Sequence, residues 1–155
     1  MSNVEERLAA EGITLPEAPA PAANYVPFVK TGNLVLISGQ LPMADGKCKY
    51  LGILGKDVEV EEGAASARQC AINLLAQLKA ACGGDLSKVT RVVRLGGFVA
   101  ATPEFDKHPA VINGASDLMA AVFGDLGAHA RAAVGVASLP FGASVEVEGM
   151  FEISE

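Results

Sequence analysis

A chain of 155 residues has room for one domain of ordinary size. Its 12 basic residues against 18 acidic ones leave a formal charge of −6, which argues against affinity won by a concentrated surplus of Lys and Arg, so nucleic acid is disfavoured as a partner. The longest charge-free stretches, 31–44 and 132–145, each contain a proline and fall short of the roughly 18 apolar residues of a membrane span, so no membrane partner is expected. The start, Met1-Ser-Asn-Val-Glu-Glu-Arg, lacks the apolar core of a signal peptide, and Cys48, Cys70 and Cys82 show no CxxC spacing. Both features point to a cytoplasmic address, free thiols and no metal site.

Residues 1–12 read as a short amphipathic helix that stops near Gly12, and the Pro/Ala stretch 15–23 favours an extended arm. Residues 1–21 are therefore taken as a lead-in and 22–155 as a single domain. Residues 25–30 and 33–38 are β-rich runs separated by Thr31-Gly32, a hairpin pattern, and Ala44-Asp-Gly-Lys47 is a turn. From Glu61 to Cys82 the apolar positions recur at intervals of three and four, with acids at the start and Gly83-Gly84 past the end, which predicts a helix. Residues 89–99 read as a strand in which Gly96-Gly97 marks a bulge or a close backbone approach. Thr102-Pro103-Glu104 carries a cap-and-proline signature, and the helical period of Val111/Ile112, Ala115, Leu118/Met119 and Val122/Phe123 runs to a break at Gly124. Strands at 132–138 and 144–153 close the chain. The order β-β-α-β-α-β-β predicts an α+β fold with two helices on one face of a sheet.

The last strand separates its faces. Val145, Val147, Phe151 and Ile153 suit a helix-covered side, whereas Glu146, Glu148, Met150 and Glu152 point the other way. The chain is 50% hydrophobic and only 19% charged, so apolar surface on the uncovered side calls for other copies of the chain, and a site is expected at such a seam.

Arg131 opens a strand among small residues that leave its planar fork free to clamp a carboxylate; the alternative is an ion pair with one of the 18 acids. Glu146, between apolar rows, is a proton-transfer candidate with a raised pKa, or else an exposed sheet acid. Asn113 could hold a substrate or cap a turn, and Tyr25 could wall a pocket or pack half-buried. Ser38-Gly39-Gln40 permits a close backbone approach but lacks the spacing of a nucleophile elbow. His129 is read as a surface histidine and His108 as a residue of an irregular helix start, and the two do not form a ribonuclease pair.

Taken together, Tyr25-Val-x-x-Val-x-x-Gly32-Asn33, Ser38-Gly39-Gln40-x-Pro42, Asn113, Ala130-Arg131, Leu139-Pro140 and Val145-Glu146-Val-Glu148 resemble the Rid (YjgF-type) family of enamine/imine deaminases, often labelled endoribonuclease L-PSP. The resemblance implies a chorismate-mutase-like homotrimer with sites between subunits. It implies hydrolysis of reactive 2-imino or enamine acids to 2-keto acids and ammonia without a cofactor. Carried over, Arg131 grips the substrate carboxylate, Glu146 activates water, Tyr25 walls the pocket, Asn113 supports it, and Ser38 and Gly39 shape its floor. The chain departs from the family pattern at Ala133, where a substrate-contacting Cys is usual, and at Gly135, where an acid is usual, so its substrate can differ from iminopropanoate or iminobutanoate. A trimer that binds a small carboxylate without turning it over is the alternative reading, and RNA cleavage a third.

Overall fold

The computed structural model describes residues 3–20 and 23–155. A five-stranded sheet in the order β1-β2-β7-β5-β6 forms the frame, built from β1 (Phe28–Thr31), β2 (Leu34–Gln40), β5 (Val89–Ala100), β6 (Ala130–Val136) and β7 (Val145–Ile153). Strands β5 and β6 are parallel, as a crossover through a helix requires, and every other pairing in the sheet is antiparallel. The helices α2 (Val60–Ala81) and α3 (His108–Phe123) pack on one face, and α1 (Asn3–Ala10) lies against α3. A small hairpin, β3 (Met43–Ala44) and β4 (Lys47–Cys48), turns through Asp45 and Gly46, both at positive φ as a tight two-residue turn demands.

The α+β architecture with helices on one face is as the sequence predicts. Helix α2 starts with the Glu59 N–H donating to Glu62 Oε1 at 3.1 Å, and ends with the Gly84 N–H on the Lys79 carbonyl at 2.8 Å, Gly83 adopting φ 66°. Its apolar stripe sends Leu74, Leu75 and Leu78 into the core with no exposure, each worth about 1.5–3 kcal/mol of burial. Helices α2 and α3 cross at Gly114, where any Cβ would run into the Ala64 backbone. In β7, Val145, Val147 and Phe151 are fully buried under the helices, and Glu146, Glu148 and Met150 are not. The alternation read from the sequence is therefore the observed one.

One expectation needs correction, and an alternative left open at Gly96-Gly97 is decided. Helix α3 begins at His108, with Pro109 in its first turn, and not at Thr102-Pro103-Glu104. The Thr102 N–H is taken by the Leu54 carbonyl at 3.0 Å, tying the segment to the 50–55 loop, and only a single turn follows, with the Phe105 N–H on the Thr102 carbonyl at 3.2 Å. The register shifts of β5 against β7 fall between Val89 and Arg94, not at Gly96-Gly97. Gly97 instead provides a close approach, since a Cβ there would lie 2.8 Å from Ile112 Cγ2. No helix among the described residues is long and apolar enough to cross a membrane.

Candidate functional site

Arg131 lies on the helix-facing side of β6, an edge strand of the sheet. Its Nη1 donates to Ser116 Oγ at 3.1 Å and its Nη2 to the Pro109 carbonyl at 3.2 Å. Both acceptors belong to α3, at positions seven residues apart and therefore on one stripe, with Asn113 on the same stripe between them. Asn113 is exposed and its side chain makes no hydrogen bond with a described residue. No described acid lies within ion-pair distance of Arg131, so its orientation is fixed while its charge is left uncompensated.

The orienting set extends one residue further. His129 Nδ1 lies 2.6 Å from the Gly127 carbonyl, which can only accept, so Nδ1 carries a proton. In the neutral ring, Nε2 then accepts from the Ser116 hydroxyl at 2.8 Å, which turns the lone pairs of Ser116 toward Arg131. His129 is half-buried in this chain of bonds, which corrects its reading as a surface histidine. Ser116 carried no signal at all in the sequence; only the packing of α3 on β6 places it.

Ala133 follows Arg131 on the same face and packs against the core. Gly135 comes next on that face. A Cβ there would sit 2.6 Å from His108 Nε2, so an acidic side chain at this position is incompatible with the ring as placed, edge-on to Phe105.

The remaining candidates gather elsewhere. Glu146 lies on the uncovered face, in β7, with Gly39 directly over it: a Cβ on Gly39 would strike the carboxylate and lie 2.9 Å from its Cδ. Gly39 sits in the irregular stretch of β2 between Ile37 and Gln40, where the ladder to β7 slips. Ser38 Oγ donates to the Val26 carbonyl at 2.8 Å and the Ser38 N–H to the Pro27 carbonyl at 2.9 Å, pinning the segment that carries Tyr25. Tyr25 precedes β1 instead of lying in it, is 47% exposed, and lines with Gly39 a cavity of about 430 Å³. Burial, and secondarily the charge of Glu148, push the Glu146 carboxyl above its ordinary value. Glu148 is itself paired with Arg94 at 3.4 Å; no described cation pairs with Glu146.

The structure thus brings together Tyr25, Ser38, Gly39 and Glu146, and separately Arg131, Asn113 and Ala133. Arg131 pairs with Leu95 and Glu146 with Phe98, on either side of β5 and three residues apart along it. Two strand spacings of about 4.8 Å and three residues of about 3.3 Å separate their Cα atoms by about 14 Å, with the side chains on opposite faces. One chain cannot bring both to one small substrate. The uncovered face also carries Val29 at 51%, Leu36 at 39% and Val134 at 46% exposure, apolar surface of the kind that a second copy covers. No group of three or more His, Cys, Asp or Glu among the described residues is arranged to hold a metal ion.

Comparison with known proteins adds to this geometry. The profile of the family described as "YjgF/chorismate mutase-like, putative endoribonuclease" matches residues 5–151. The crystal structure of an Agrobacterium tumefaciens protein of unknown function is 55% identical, with a TM-score of 0.93 over 98% of this chain and 93% of that one. An endoribonuclease-labelled structure from Shewanella oneidensis is 38% identical, also with a TM-score of 0.93, over 97% and 99% of the two chains. The 2-iminobutanoate/2-iminopropanoate deaminase of Dermatophagoides farinae is 29% identical over 91% of this chain and 94% of its own length.

Proposed function

Because this chain belongs to the YjgF/chorismate mutase-like family, we propose that it hydrolyses reactive 2-imino acids to 2-keto acids and ammonia, in clefts between the subunits of a homotrimer. The observation that carries the reading is the state of Arg131: its fork is fixed by two neutral acceptors and balanced by no described acid, a ready receptor for a substrate carboxylate. The deaminase relative named above supports the reaction class.

The chemistry follows from the two charges. Arg131 of one subunit holds the carboxylate, and the iminium carbon, already electrophilic, faces Glu146 of a neighbour. Glu146 accepts a proton from water as the water oxygen bonds to that carbon, giving a carbinolamine. The proton passes to the nitrogen, the C–N bond breaks with its electron pair leaving on ammonia, and the hydroxyl proton is lost as the carbonyl forms. The hydroxyl proton returns to Glu146 and from there to ammonia, so that iminium ion and water become keto acid and ammonium, and Glu146 ends ionised as it began. A carboxylate whose pKa is raised by burial takes a proton from water more readily than an ordinary one, and holding the reactants in place supplies much of the rest. Tyr25 walls the cleft, Gly39 leaves room for Glu146, and Asn113 offers an amide beside Arg131. The substitution of Ala at 133 favours the second reading, a trimer that binds a small carboxylate without turnover.

Ammonia release from freshly generated 2-imino acids separates the two. Turnover that is lost in Arg131→Ala with the fold and assembly intact supports hydrolysis; carboxylate binding without ammonia release supports the binding trimer. Salt-sensitive RNA binding at low ionic strength would favour the endoribonuclease label, which the charge of −6 disfavours.

A further inference from the structure

The cavity that Tyr25 and Gly39 line extends well beyond them, to a floor made by two buried amides of α2 one turn apart. Asn73 has no exposure, and its Nδ2 donates to the carbonyls of Leu41 and Met43 at 2.9 and 3.0 Å, fixing one wall. Gln77 is 1% exposed, and its Nε2 donates to the Pro19 carbonyl at 2.6 Å, fixing the N-terminal arm as the opposite wall. With both Asn73 donors engaged, its Oδ1 is a buried acceptor with no partner among the described residues. Such a group is costly to leave unsatisfied; Asn73 lines the cavity, but its Oδ1 has almost no accessible surface, so a donor reaches it only when the amide or its neighbours shift.

The charges on the lining narrow the occupant. Glu17 and Asp45 are acidic, no described lining residue is Lys, Arg or His, and the remaining surface is largely apolar. About 430 Å³ is the size of a small-molecule site and far exceeds what the methyl group of iminopropanoate would fill.

We infer that this cavity is the side-chain subsite of the site proposed above, and that it selects 2-imino acids whose side chain is apolar along its length and carries a hydrogen-bond donor toward its tip, in preference to small or acidic ones. The inference rests on the deaminase reading for the position of the carboxylate. The arm and the β3-β4 hairpin act as walls of the subsite, and Asn73 Oδ1 reads the donor.

The stable 2-keto acids, products of the proposed reaction, serve as probes in calorimetric titrations of the full-length assembly. The expected order of affinity is 4-hydroxyphenylpyruvate, then phenylpyruvate, then pyruvate, with 2-oxoglutarate weakest, and about tenfold between the first two. Ala44→Leu, which fills space at the hairpin wall and removes no hydrogen bond, should shrink the ratio of aromatic to pyruvate affinity by about tenfold. Equal affinity for pyruvate and the aromatic acids, tight 2-oxoglutarate, no binding of any probe, or a ratio unmoved by Ala44→Leu would overturn the inference. Turnover of imines without side-chain preference removes the subsite and leaves the deaminase standing. The expected order of keto-acid binding with no imine turned over does the reverse.

Discussion

Mixing two inactive variants tests whether Arg131 and Glu146 meet across a seam. Within one chain they lie on opposite faces of the sheet with Cα atoms about 14 Å apart, from two strand spacings and a three-residue offset along β5. A site using both must take one from each of two copies. Arg131→Ala leaves a bound carboxylate without its partner, a loss of about 2–5 kcal/mol or roughly 30- to 5,000-fold in kcat/KM. Glu146→Gln removes the proton-transfer group, at about 10²- to 10⁴-fold. In trimers assembled at random from equal amounts of the two variants, a site is intact when an Arg131-bearing copy faces a Glu146-bearing one. That happens in about one site in four for a cyclic arrangement. Co-refolding the variants and measuring ammonia release should therefore restore about a quarter of wild-type activity from two nearly silent parents. Activity that stays at the level of the parents, while mass spectrometry shows mixed trimers, would refute the shared site.

Three further outcomes follow from local geometry. The Glu146 carboxyl is raised in the folded state, so its contribution to stability is full below the unfolded pKa and is lost as pH rises through the folded one; Glu146→Gln should therefore melt higher than wild type at pH 7.5 with the advantage gone near pH 4, and a constant difference between the two would contradict this. Gly39→Ala should leave the melting temperature nearly unchanged, because its Cβ meets only the movable end of Glu146, yet cut ammonia release about 10²-fold by displacing that carboxylate. Gly135→Ala should cost about 1–3 kcal/mol against the His108 ring, seen as a melting drop of roughly 2–12 °C, and His108→Ala should recover most of it; additive losses in the double variant would show that the two do not touch.

What the sequence made legible is what short-range physics decides. The β1-β2 hairpin around Gly32, the period of α2 and the two faces of β7 are set by alternation and turn chemistry within a dozen residues, and the structure reproduces them. The start of α3 is not legible locally, because Thr102-Pro103-Glu104 imitates a cap while its backbone is tied to Leu54, nearly fifty residues earlier. Candidate site residues could be named one by one, but their grouping depends on the parallel crossover from β5 through α3 to β6. Ser116 and His129 are ordinary until that crossover lays α3 along β6, and Asn73 Oδ1 is an orphan only because Leu41 and Met43 consume the other end of the amide.

The same crossover explains why the site can hold its charges in readiness. Had an internal carboxylate oriented Arg131, the guanidinium would be held equally well, but a substrate carboxylate would then have to compete with a tethered rival. A serine hydroxyl and a proline carbonyl supply direction without neutralising it, and the histidine behind the serine settles which way the hydroxyl turns. On the other side of the sheet Arg94 is occupied by Glu148, which leaves Glu146 half-buried beside a like charge and without a cation among the described residues. Of the two, the half-buried Glu146 bears the cost of desolvation, whereas Arg131 is part-exposed and open to water. Because they lie on different faces and on different strands, neither can relieve the other within one chain, which is why the proposed site draws them from two copies.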